Sequence, residues 1–384
     1  MTEANDISRL RAVFMRGGTS KGLILHSRDL PSRREQWDSL FLALMGSPDI
    51  HGRQLNGMGG GISSLSKVCI VGPSTRPDAD VDFTFAQVMV NEARVDYSGN
   101  CGNMSSAIGP FAIDEKLVKA TDGDVLVRIH NTNTSKVIHA VFPVKNGRAC
   151  VGGDLEIPGV SGKGAKVRLE FLDPGGATTG TLLPTGHEAQ LLDVPGLGKI
   201  NVSMVDAANA CVFVNAQDLG LAGTELPAIL NERPDVLKKL NDIRIHASVA
   251  MGITPDLEQA RAKRVVPFVG FVSPPQTATT LSGATIRAED IDLTARMISS
   301  GQPHMALQLT ASLCLAVAAE IKGTVVSKAA RAATDGTLRI GMPSGILTVG
   351  AEVDFEGQQW NARRGYFYRT ARRLFDGHVY PAQS

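Results

Sequence analysis

Ser98-Gly99-Asn100-Cys101-Gly102-Asn103-Met104-Ser105-Ser106-Ala107-Ile108-Gly109-Pro110-Phe111-Ala112-Ile113 is the stretch that decides the fold. From Cys101 to Leu117 it is rich in Ala, Ser and Ile, and it predicts a buried helix starting just after Asn100. A second segment, Met305 to Ile321, is almost wholly apolar and predicts another. Around the first lie β-branched runs bounded by Gly, Pro or Asp: Arg9 to Met15, Lys67 to Val71, Val81 to Val90, Val125 to Ile129, Val137 to Val144 and Val167 to Leu172. Around the second lie Ile200 to Val205, Cys211 to Val214, Val265 to Val272, Leu338 to Ile340 and Gly345 to Val353. Such runs read as strands. Arg33 to Met45 has helical spacing, as does Ala228 to Asn241 with an interruption expected at Pro234. One apolar helix among many strands, twice over, predicts two similar α+β domains, each a curved sheet around a central helix. The expected division is 1–187 and 188–384, near the Pro- and Gly-rich Pro184 to Gly198, with the last strand free to return to the first domain.

The composition narrows the function classes. A chain of 384 residues, 43% hydrophobic, suits two domains at roughly 150 residues each. A net charge of +1 argues against partners that are nucleic acids or anionic membranes. The longest apolar run, Ala311 to Ala319, is far short of the ~20 residues that span a bilayer. Met1 to Arg11 carries Glu3, Asp6, Arg9 and Arg11 with no apolar h-region, so a cytoplasmic protein is expected. Five dispersed cysteines contain no C-x-x-C pair, and His187-Glu188 lacks the second histidine of a metalloprotease motif. Neither a disulfide framework nor a metal site is expected.

Three segments carry polar chemistry. Met15-Arg16-Gly17-Gly18-Thr19-Ser20-Lys21-Gly22 follows a strand and offers glycine amides with Arg, Thr, Ser and Lys donors, an anion-binding composition. It fails the Walker A pattern at Leu23-Ile24, and the plainer alternative is a polar turn closing a hairpin. Gly57-Met58-Gly59-Gly60-Gly61 leads through Ser66 to Lys67, and its spacing fails the dinucleotide pattern at Ile62. Lys67 opens the apolar run Val68-Cys69-Ile70-Val71; desolvation at such a place favours a neutral amine able to act as a base, against the alternative of an edge lysine snorkelling to water. Cys101 stands at the start of the first apolar helix, where free amides and the dipole favour a thiolate or a bound carboxylate. Its polar neighbours Asn100 and Asn103 separate it from Cys69 and Cys314, which sit in apolar runs and read as core. His304 precedes the second apolar helix, a site candidate weighed against a structural histidine. The basic and aromatic run from Arg363 to Arg373 is the place to look for RNA binding, though a solvated strand and helix face is the better reading.

At these segments the chain resembles the PrpF family. The matching residues are Met15 to Gly22, Gly46-Ser47-Pro48-Asp49, Gly57-Met58-Gly59-Gly60, Ser66-Lys67, Asp80-Val81-Asp82 and Ser98 to Asn103, with weaker likeness through Thr179 to Gly186 and Pro343 to Glu352. The resemblance implies a diaminopimelate-epimerase-like fold: two domains, each a barrel-like sheet around a central helix, with the active site between them. It implies allylic isomerisation without a cofactor, a 1,3-proton shift that moves the double bond of an unsaturated di- or tricarboxylate. Family substrates include aconitate, methylaconitate, methylitaconate and oxalomesaconate. The family's catalytic lysine falls on Lys67 and its active-site cysteine on Cys101. Arg16, Thr19, Ser20, Lys21, Ser66, Asn100, Gly102, Asn103 and His304 are the expected substrate-binding residues. The expected partner is the small polycarboxylate alone, with a homo-oligomer an open possibility. Two other functions compete with this one. A racemase needs bases on both faces of one carbon, and the second-half helix offers Gly301-Gln302-Pro303-His304-Met305 where diaminopimelate epimerase has a second cysteine. A non-catalytic accessory to an aconitase-like dehydratase needs neither the lysine nor the thiol.

Overall fold

Leu23-Ile24-Leu25 and Val68-Cys69-Ile70-Val71 are apolar at successive positions, a pattern that only a strand covered on both faces requires. The computed structural model describes residues 9–97, 99–263, 266–299, 301–332 and 336–382. The chain forms two compact units, one of residues up to Leu169 together with those from Tyr368 on, the other Glu170–Phe367. The first crossing thus falls upstream of the expected boundary at 187/188.

In the first unit β1 (Leu10–Gly17) and β2 (Ser20–His26) form an antiparallel hairpin. Helix α1 (Trp37–Met45) follows, then β3 (Lys67–Pro73), parallel to β2. β4 (Val81–Val88) pairs antiparallel with β3; after helix α2 (Gly102–Asp114), β5 (Gly123–Asn131) lies parallel to β4 and antiparallel to β6 (Lys136–Lys145). The C-terminal strand Ala371–Val379 pairs with the free side of β1. Helix α2 is the central helix expected from Cys101, and its ten residues Met104 to Ile113 are all buried.

The strand period of two sorts this sheet into faces. Phe14, Leu23, Leu25, Val68, Ile70, Ala86 and Val88 pack against Leu40, Phe41, Leu44 and Met45 of α1. The opposite face looks on α2: the His26 ring meets Phe111 tilted, with centroids 5.1 Å apart, and its Nε2 lies 3.2 Å from Glu115 at the helix end. Burying a side chain such as Phe41 or Leu44 contributes about 1.5–3 kcal/mol each, so both faces are anchored.

The second unit repeats the pairing order. β7 (Gly198–Ala207) and β8 (Asn209–Asn215) are antiparallel. Helices α3 (Pro227–Asn231), α4 (Pro234–Ala250) and α5 (Leu257–Ala262) intervene before β9 (Phe268–Ser273), parallel to β8. β10 (Leu293–Ser299) is antiparallel to β9; after helix α6 (Leu309–Glu320), β11 (Thr337–Met342) is parallel to β10 and antiparallel to β12 (Gly345–Glu356). The interruption expected at Pro234 is the break between α3 and α4, Pro234 being the first residue of α4. Val265 of the expected strand lies outside the described residues. Helix α6 begins at Leu309, later than the expected Met305, which is exposed and outside the helix. Gln308 caps it without a side-chain bond to the helix, so no Ser, Thr, Asp or Asn marks its start.

The repeat extends to one ion pair in each unit. Asp80, just before β4, accepts the backbone N–H of Arg128 at 2.8 Å and its Nη2 at 2.6 Å, while Asp80 N donates to Arg128 O. Asp292, just before β10, accepts the N–H of Arg339 at 2.9 Å and its Nη2 at 2.7 Å, while Asp292 N donates to Arg339 O. Each clamp closes a parallel strand pair that brackets a central helix. Among the described residues no helix is long and apolar enough to cross a membrane.

Candidate active site

A helix leaves its first amides without carbonyl partners of its own. In α2 the first intrahelical bond runs from Ser105 N to Cys101 O at 2.9 Å, so Gly102, Asn103 and Met104 present their N–H groups at the helix mouth. Cys101 is the cap residue in an extended conformation, half-buried, and its thiol does not cap the helix. Asn100 Oδ1 accepts from Ser105 Oγ at 3.1 Å and from Asn131 Nδ2 at 3.3 Å, which fixes its carboxamide. Ser98 lies outside the described residues.

The β1–β2 turn is built against this mouth. A Cβ on Gly17 would stand 2.5 Å from Asn103 O and 3.1 Å from Met104 Cα, so only glycine lets the hairpin approach the helix backbone. Gly17→Ala is accordingly expected to push the turn off the helix, costing about 1–3 kcal/mol of stability together with activity. Thermal unfolding and turnover with wild-type values would contradict this close contact. Asn103 bridges the two parts: Nδ2 donates to Thr19 Oγ1 at 3.0 Å, and Oδ1 accepts from Arg369 Nε at 3.2 Å. Arg16 holds the turn from behind, with Nη1 donating to Gly18 O at 2.9 Å and Thr370 O at 2.8 Å, and Nη2 to Thr370 Oγ1 at 2.9 Å. Burial lowers the pKa of both arginines, Arg369 to about 10, with nearby Arg372 adding to the effect on Arg16. Arg369, buried at the helix mouth, adds its charge to the positive end of the helix dipole there.

Lys67 opens β3 on the face that looks on α2 and is only 7% exposed. Its Nζ donates to Gln87 Oε1 at 2.6 Å and lies 4.9 Å from the centroid of the Phe85 ring. Cys69, two residues on and fully buried, has its thiol pKa pushed well up by burial and further by Cys101, while Lys67 opposes the shift. Ser20, buried, shares this face.

Other expected site residues stand elsewhere. Arg16 and Lys21 are cross-strand partners on the opposite face, where Lys21 Nζ lies 5.7 Å from the Phe14 ring. Ser66 is fully buried, its hydroxyl donating to Val88 O and accepting from Gln54 Nε2. His304 belongs to the second unit, where its Nδ1 accepts from Ala306 N at 3.0 Å and burial lowers its pKa. The glycines after Gln54 serve packing. A Cβ on Gly57 would meet Gly46 N at 2.1 Å, and one on Gly59 the Gln54 side chain at 2.2 Å. Arg369 and Thr370 correct the reading of the basic run as solvated surface, since both are buried, and Arg369 reaches the helix mouth. Arg363 and Arg364, by contrast, pair with Asp354, Glu356 and Glu352. Gln87 escaped the sequence reading because only the β3–β4 register sets it opposite Lys67.

Among the described residues of the second unit, the starts of the later central helix and of the strand parallel to β8 carry other groups. The cap of α6 is Gln308, and β9 opens with Phe268. Cys314 lies inside α6, fully buried, its thiol on Val205 O at 3.3 Å.

The profile of the PrpF protein family matches residues 7–382. The chain is 42% identical over 379 residues to the 3-methylitaconate isomerase of Eubacterium barkeri, covering 98% of each protein. It is 38% identical over 382 residues to a 2-methyl-aconitate isomerase of Shewanella oneidensis, covering 97% of this chain and 96% of the relative. The crystal structure of a methylitaconate-delta-isomerase superposes with a TM-score of 0.90 at 42% identity, covering 97% of this chain and 95% of the other. The α+β architecture expected from the sequence is shared with that structure over nearly the whole length. The chain belongs to the PrpF family.

Proposed function

We propose that this isomerase moves the carbon–carbon double bond of a small unsaturated di- or tricarboxylate by a 1,3-proton shift, with Lys67 carrying the proton. The observation that carries the reading is the buried amine of Lys67, held beside Gln87 and Phe85 on the face that looks on α2. A proton on the carbon adjacent to the double bond is acidified by conjugation to a carboxylate. The neutral amine takes that proton, and the electron pair spreads through the allylic system onto the carboxylate. The resulting ammonium returns a proton to the far carbon, and the double bond ends one position over. No electron leaves the substrate, so the sequence balances without a redox partner.

The amides of Gly102 and Asn103, with Ser20, Thr19, Asn100 and Asn103, are the proposed carboxylate and dienolate contacts. Arg16 acts from behind the turn by holding Gly18 and Thr370 in place. Lys21, Ser66 and His304 have no step assigned in this scheme. The names carried by the relatives favour a methyl-bearing substrate of the methylitaconate or methylaconitate type. A two-base racemase is disfavoured by Gln308 at the α6 cap.

Cys101 is proposed as an auxiliary donor. Cys101→Ser is expected to keep within about tenfold of the wild-type kcat, since a hydroxyl still donates there and Lys67 carries the main acid–base contribution. A loss beyond about a hundredfold, the range of a principal acid or base, would instead assign the thiol that role. The function is tested by proton NMR on 2-methylaconitate, methylitaconate, cis- and trans-aconitate and oxalomesaconate, each with the protein alone. Vinyl and methylene signals interconverting in at least one supports the reading. No change in any of them removes it.

A further inference from the structure

We propose that Gln87 is a positioning residue that aims the amine of Lys67, an assignment that rests on the reading of Lys67 as the proton carrier. The orientation of the Gln87 carboxamide is set by its nitrogen end. Nε2 donates to Ser66 O at 2.9 Å and Ser63 O at 3.0 Å, with Val88 O at 3.5 Å. Three carbonyls admit only the donor end of an amide, so the acceptor end must face Lys67. Nζ meets it at 2.6 Å, and the Phe85 ring closes a second direction at 4.9 Å. The remaining directions of the tetrahedral nitrogen therefore point away from both side chains.

The carbonyls that hold Gln87 are themselves braced. Ser66 Oγ accepts from Gln54 Nε2 at 2.7 Å, and Gln54 Nε2 also reaches Ser47 Oγ at 2.8 Å. Gln54 is fully buried in a left-handed conformation (φ 53°) and its N–H is held at 2.6 Å by Asp49. This explains a loop dense in glycine: its packing fixes the frame around the lysine. The residue type matters as well. A carboxylate at 87 would hold a permanent ammonium, whereas an amide oxygen accepts from the amine in either protonation state, as a group that gives and takes one proton requires.

Two measurements test this on the full chain with Gln87→Met, which keeps side-chain length and removes the acceptor, and with Gln87→Glu, which keeps an acceptor at the same reach. In the first, trace acetylation by acetic anhydride is read at Lys67 by peptide mass spectrometry against the other lysines. Release of the amine in Gln87→Met is expected to raise Lys67 labelling several-fold with the other lysines unchanged, and Gln87→Glu is expected to return it to the wild-type level or below. Unaltered labelling in Gln87→Met overturns the proposal. In the second, kinetics on whichever of the five polycarboxylates the wild type converts are expected to show kcat down about tenfold or more in Gln87→Met with KM within about twofold. A rise in KM at unchanged kcat overturns it too. If the wild type converts none, the proposed function fails, while the labelling still decides whether Gln87 governs the amine.

Discussion

Lys67→Met is expected to abolish double-bond migration, with kcat down by at least about a thousandfold, because one group serves as both base and acid and each role carries about a hundred- to ten-thousandfold. Methionine keeps the length and the apolar stem that packs beside Phe85, so the fold should survive. Among the described residues of β2, β3 and β4 on the face that looks on α2, Cys69 is fully buried with its pKa pushed up, His26 is engaged with Glu115, and Gln87 carries no proton to exchange in this range. Binding should persist through the α2 amides, leaving KM or the inhibition constant of a saturated dicarboxylate within a fewfold. Initial rates followed by NMR, with circular dichroism as the control for folding, check this. A rate within tenfold of wild type would remove Lys67 from the chemistry.

The second large effect concerns the clamps. Asp292 is 1% exposed, and burial by itself would raise its pKa; the Arg339 guanidinium and N–H more than offset this and hold it below the ordinary carboxylate range. Asp80 is held low in the same way by Arg128, from a more open position. A carboxyl whose pKa is depressed on folding contributes stability in full above its unfolded value, near pH 4, and loses it as the pH falls through the folded value. Asp292→Asn removes the charge and its fork of bonds to Arg339, at an expected cost of about 2–4 kcal/mol at pH 7. Asp80→Asn should cost less, because Asp80 itself is more open to solvent than Asp292, and solvent screens its charge. Denaturant unfolding across pH is the check: the gap between wild type and Asp292→Asn should close as the pH drops below about 4. A gap constant from pH 7 down to 3 would mean that the clamp contributes nothing through its charge.

Much of this architecture is legible in the sequence, and the failures have physical causes. The central helix α2 announces itself by apolar residues all round and by a polar cap at Asn100-Cys101. Helix α6 is as apolar, but Gln308 gives no cap signal, and Pro303 to Leu307 reads as a continuation of the same composition. Lys67 is visible because a lone lysine opens an otherwise apolar run. Its partner Gln87 is not, since it lies twenty positions on and only the hairpin register sets it opposite. The run Arg16 to Lys21 looks like one anion-binding loop in sequence. Strand alternation divides it, turning Ser20 toward α2 and Arg16 and Lys21 to the other face. Arg369 and Thr370 sit in a stretch whose composition reads as surface; only the return of the C-terminal strand beside β1 brings them to the helix mouth.

The central claim is a proton shift carried by Lys67, and proton NMR in deuterated buffer tests it most directly. Wild type and Lys67→Met would be given the same convertible polycarboxylate, with no metal or nucleotide added. The account predicts that in wild type the double bond migrates and solvent deuterium appears at the allylic positions between which it moves, and that Lys67→Met shows neither migration nor exchange. Migration or exchange persisting in Lys67→Met at a comparable rate would contradict it and place the base elsewhere in the chain.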